Sequence, residues 1–166
     1  AEVRAMGVAA AVAALRAHGS VSRIALAACG RLADMCTEVQ NRQSAADAGA
    51  IEAIVAALQA HPQVADVQLY GCRAMAFVCT GTDAAGLARK QRAADAGGIE
   101  AIVAALQAHP QVAGVQQLGC GALGLVCFGG DAAARARRQR AVIAGATEAA
   151  VGAMQAHPGV AGVQRQ

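Results

Sequence analysis

The stretch Ile51–Ala65, reading IEAIVAALQAHPQVA, returns unchanged at Ile99–Ala113. Its His-Pro pair recurs at one constant interval, at His61, His109 and His157, and a diverged copy, His18-Gly19, precedes His61 by a slightly shorter one. A fixed period of about 20 to 50 residues marks a repeat architecture, in which each unit buries its apolar face only against its neighbours. Aligned on histidine, the 166 residues form one domain of four units, near 1–36, 37–79, 80–127 and 128–166.

Each unit reads as three helical segments. The first is Ser44–Ala48, Arg92–Ala96 and Arg140–Ala144, with Asp83 and Asp131 as candidate N-caps of longer versions. It stops at Gly49, Gly97 and Gly145, because glycine takes the left-handed conformation that ends a helix. The second carries Ile51, Ile54, Val55 and Leu58 at i, i+3, i+4 and i+7, one apolar stripe. Glu52, Glu100 and Glu148 sit in its first turn, where the helix dipole favours an anion, and His-Pro ends it. The third is Val64–Cys79, repeated at Val112–Cys127 and, diverged, at Val21–Cys36, with a stripe of Val67 or Val64, Cys72, Met75, Val78 and Cys79. In the fourth unit only Val163-Gln164-Arg165-Gln166 enters this helix, so the last unit is expected to be truncated and partly uncovered.

Composition agrees with stacked helices. Hydrophobic residues are 56% of the chain and aromatics 2%, so the apolar mass is small and aliphatic and lets helices approach closely. The longest apolar run, Leu118–Gly130, falls short of a bilayer span. The six cysteines fall as Cys29/Cys36, Cys72/Cys79 and Cys120/Cys127. Seven residues of helix is roughly 10.5 Å, beyond disulfide reach, so they read as reduced core residues and the chain as cytoplasmic.

The units resemble armadillo repeats, with HEAT repeats, which have two helices per unit and lack the glycine turn, as the nearest rival. The family's Gly-Ile turn and second helix match Gly97-Gly98-Ile99-Glu100-Ala101-Ile102-Val103-Ala104-Ala105-Leu106, and its third helix matches Val115-Gln116-Gln117-Leu118-Gly119-Cys120-Gly121-Ala122-Leu123. The resemblance covers essentially the whole chain. It implies an all-α, right-handed α-solenoid and a protein-interaction scaffold that holds a polypeptide in a concave groove lined by the third helices. Armadillo proteins that clamp extended peptides carry a Trp and an Asn four residues apart on that helix. The matching pairs here are Gly30 and Asp34, Arg73 and Phe77, Gly121 and Leu125, so that clamp is absent. The groove residues expected to contact a partner are Asp34, Tyr70, Arg73, Phe77, Leu118 and Leu125. Exposed aromatics beside an arginine are typical of interface hot spots.

Other chemistry is weaker. One histidine per unit, roughly 10 Å apart by helix packing, does not converge on one metal ion, and a helix-capping role accounts for the row. No nucleophile elbow, phosphate loop or His-Glu zinc motif is present, so the chain is read as a non-enzyme with no cofactor. Arg89, Lys90 and Arg92, with Arg135, Arg137, Arg138 and Arg140, are expected to line a solvated basic edge; an anion-binding role there is the lesser alternative. No aromatics accompany them, so specific nucleic-acid binding is not expected. A fragment of a longer array, or a consensus-designed repeat, with no binding of its own is the rival reading. Uncapped end units imply weak end-to-end self-association.

Overall fold

A computed structural model describes residues 7–165. The Ala1–Met6 start of the first unit and Gln166 of the fourth lie outside the described residues. Among those described there are eleven helices and no strand. The elements are α1 (Val8–His18), α2 (Ser22–Met35), α3 (Val39–Asp47), α4 (Ala50–Ala60), α5 (Ala65–Val78), α6 (Ala84–Asp95), α7 (Gly98–Ala108), α8 (Ala113–Cys127), α9 (Ala132–Ile143), α10 (Ala146–Ala156) and α11 (Ala161–Gln164).

They pack in three rows. The third-segment helices α2, α5, α8 and α11 contact one another in that order, as do the second-segment helices α1, α4, α7 and α10, and the first-segment helices α3, α6 and α9. Each helix therefore touches its own unit and the same element of the next. That is how a repeat shares one core along its length.

The apolar stripes are buried as expected. Ile51, Ile54, Val55 and Leu58 are covered, as are their copies Ile99, Ile102, Val103 and Leu106; Val67 rather than Val64 completes the stripe of α5. Close approach depends on small residues. A Cβ on Gly71 would lie 2.5 Å from Leu58 Cδ2, and one on Gly119 would lie 2.7 Å from Leu106 Cδ2. Gly49, Gly97 and Gly145 hold φ of 90°, 85° and 92°, turning the chain from the first-segment into the second-segment helix.

The first-segment helices of the third and fourth units take the longer form expected from Asp83 and Asp131, whose carboxylates accept from the Gly86 and Ala134 amides at 2.9 and 2.7 Å and fix the starts of α6 and α9.

Candidate interaction groove

The third-segment row positions the candidate partner-binding residues. Between α2 and α5 lies a cavity of about 560 Å³, lined by Arg23, Gly30, Arg31, Asp34, Tyr70 and Arg73 among others. Gly30 makes room for Tyr70, whose ring carbon Cδ1 is 3.5 Å from where a Cβ would stand. Arg73 Nη2 meets Asp34 Oδ1 at 3.0 Å, joining the two helices, and the same guanidinium lies 5.6 Å from the centre of the Phe77 ring. The ion pair is partly exposed, 30% at the Arg73 side chain and 60% at Asp34, so it contributes roughly 0 to 1 kcal/mol and leaves Asp34 accessible to a ligand. Arg73 thus carries two weak restraints over an aromatic face.

Asp34, Tyr70 and Arg73 are therefore brought together at the cavity, while Phe77 meets them through Arg73 and does not itself line it. Leu118 and Leu125 are half-buried on α8, one helix along, and do not line this cavity. Arg23 and Arg31 were missed by sequence reasoning. They belong to the diverged first unit, where no internal copy draws the eye, but their helical spacing from each other and from Gly30 and Asp34 puts them on the same side of α2.

The basic edge needs correction. Arg89, Lys90 and Arg137 are buried rather than solvated. Arg89 donates to the Val78 and Thr80 carbonyls at 2.8 and 2.9 Å and to Gln43 Oε1 at 2.9 Å. Arg137 repeats this on Val126, Phe128 and Gln91 Oε1 at 2.8, 3.1 and 2.9 Å. Arg42 does the same with Cys36 and Thr37 at 2.9 and 3.0 Å. The last carbonyls of a helix have no partner within it, and these side chains supply one. Lys90 joins them on the Cys79 and Gly81 carbonyls, and burial lowers its pKa. Arg138, exposed, reaches the Cys127 and Gly129 carbonyls at 3.2 and 2.9 Å.

Arg92 and Arg140 are half-exposed but spoken for, bonding Glu52 and Glu100 of the preceding unit at 2.6 and 2.5 Å. Partial burial raises the Glu52 pKa, yet the Arg92 bonds outweigh it and hold the carboxyl below its ordinary value. Of the set, Arg135 is exposed with only a 3.5 Å contact to the Gly130 carbonyl.

The histidines cap differently from expectation. His109 and His157 end their helices, but each ring Nε2 donates backwards, to the Pro62 and Pro110 carbonyls at 2.8 Å, while His61 donates to Gly19 at 2.6 Å. The carbonyls of their own helices are taken by glutamine. Gln68 Nε2 donates to Leu58 and His61, and Gln116 Nε2 to Leu106 and His109, at 2.7 to 2.9 Å. The cysteines are free, and burial pushes the Cys29, Cys72 and Cys79 thiols up to about 12 and Cys36 up to about 11. Such thiols are protonated and inert at neutral pH.

No helix among the described residues is long and apolar enough to cross a membrane. Comparison with protein-family models, with curated proteins and with solved structures gives no match, leaving the chain's own geometry to carry its function.

Proposed function

We propose that this chain is a non-enzymatic interaction scaffold, a right-handed solenoid of armadillo type that holds a polypeptide segment along its third-helix row. One observation carries the reading. The chain's single tyrosine and Arg73 line the cavity between α2 and α5, one of its two phenylalanines, Phe77, packs under the Arg73 guanidinium one turn further along α5, and all three are half-buried rather than sealed in the core. Rigid aromatics on a row of packed helices present contact area at little entropic cost, and an arginine over an aromatic face adds a charged anchor. Asp34, Tyr70, Arg73 and Phe77 form the anchor region, and Leu118 and Leu125 continue it as an apolar track.

Panning a random peptide-display library against the protein and titrating the recovered peptides tests this. Tyr70→Ala and Phe77→Ala are expected to weaken binding by about tenfold or more each, the range of interface anchors. Selected peptides that bind both variants as well as the parent would overturn the site. A library that yields no binder would favour the rival reading, a structural array whose surface is inert.

A further inference from the structure

The cavity between α2 and α5 is built from residues that the next unit does not copy. Aligned on His18 and His61, Ala27 and Gly30 of α2 stand where α5 carries Tyr70 and Arg73, and Asp34 stands where α5 carries Phe77. The two small residues hollow one wall, and Tyr70 forms the facing one. Arg23 lies at the start of α2, and Arg73 reaches Asp34 near its end.

These positions face the groove even in a unit with neighbours on both sides. Helix α5 is flanked by the third-segment helices α2 and α8, yet its Tyr70, Arg73 and Phe77 stay half-buried, and Asp66, the counterpart of Arg23, stays exposed. Arg31 differs, because its counterpart Ala74 is fully buried and Arg31 is already engaged. Arg23 and Arg73 are thus the cations that the groove itself presents.

The charges select a partner. Arg23 is exposed and makes no ion pair among the described residues. Arg73, steadied by the Phe77 ring, already holds a carboxylate, that of Asp34. A guanidinium fork matches a carboxylate closely, and an exposed pair of this kind is weak enough to be exchanged. Asp34 lies three turns of helix, roughly 16 Å, beyond Arg23. An extended strand covers that span in about five residues. Between the two cations lie Leu26 and the Tyr70 ring.

Resting on the scaffold reading above, we propose that the segment held here is acidic. One of its carboxylates meets Arg23, a second displaces Asp34 from Arg73, and an apolar residue between them packs on Leu26 and Tyr70. The probe is a pair of display libraries of short extended peptides, random except at two sites about five residues apart, which are glutamate in one library and glutamine in the other. The glutamate library is expected to yield the binders, and replacing their two glutamates by glutamine should weaken binding about tenfold or more in anisotropy titrations. Arg23→Glu, which breaks no ion pair in the fold, should weaken them about tenfold as well, and added salt should weaken them further. Asp34→Asn removes the competing carboxylate and should tighten binding by up to about fivefold. Binders that come equally from the glutamine library, that ignore Arg23→Glu, or that weaken with Asp34→Asn would overturn this proposal, while their loss in Tyr70→Ala would keep the groove reading intact. Two libraries without a binder would overturn both.

Discussion

A guanidinium that donates to three acceptors at once has no simple replacement. Arg89, itself buried, satisfies two helix-end carbonyls and reaches the exposed Gln43 of the unit before. Arg89→Ala strands those groups and is expected to cost about 2–4 kcal/mol in urea unfolding, while Arg135→Ala on the exposed side of α9 should stay within about 0.5 kcal/mol. Arg89→Lys should recover only part of the loss, because one ammonium does not span a fork's geometry. This role was hidden in the sequence for a physical reason. Charge is ordinarily solvated, and the demand for donors at the end of α5 exists only once that helix end and α6 are placed together. Gln68 and Gln116 were hidden in the same way, as neutral polar residues in an apolar helix whose partners lie at the end of the helix before. The thiols were legible, since apolar spacing alone put Cys72 and Cys79 in the core. Thiol-specific labelling of the folded protein should accordingly reach Cys120 first, the one cysteine that is not fully buried, and spare Cys29, Cys72 and Cys79 until denaturant is added.

Helices were easier to read than side-chain roles because their signals are local. Stripes at i, i+3, i+4 and i+7, aspartate starts, glycine stops and His-Pro ends are each set by a few adjacent residues, and the second and third helices of the inner units follow them. The groove on the third row was legible only in part. Helical spacing put Tyr70, Arg73 and Phe77 on one face, but which neighbour they meet depends on α2, a helix of the preceding and diverged unit. Glycine punctuation offers a direct test. Gly97 holds φ of 85°, with no heavy atom within 4 Å of where a Cβ would stand, so its substitution isolates backbone strain. Gly97→Ala is expected to destabilise by roughly 1 kcal/mol, measured by thermal or urea unfolding, with the helix content kept.

At the scale of the whole molecule, the buried thiols predict how stability responds to alkali. Their folded pKa values, about 12 for Cys29, Cys72 and Cys79, lie above the ordinary 9.0 that the unfolded chain would show. The raised value favours the protonated fold, so this contribution is complete below pH 9 and is lost as pH rises from 9 towards 12. Each thiol should remove on the order of 1 kcal/mol per pH unit in that window. Urea midpoints should therefore be flat through neutral pH and fall steeply once the unfolded thiols ionise; a curve that stays flat well into that alkaline window would contradict it.

The backward bonds of histidine and arginine have a consequence for how long such a protein can be. Histidine reaches back 47 residues at both His109 and His157, arginine 46 at both Arg89 and Arg137, and the Arg92 and Arg140 ion pairs 40. The joins of the third unit to the second and of the fourth to the third are thus made by the same atoms at the same distance along the chain, like rungs cut to one gauge. Splicing in a second copy of residues 64–111 leaves every rung with both of its ends, and the longer protein should unfold at higher urea, as nearest-neighbour addition requires. Removing that same segment, one whole unit in phase, should shorten it just as cleanly. Shifting the splice by even a few residues would leave a histidine or an arginine reaching for a carbonyl that is no longer there.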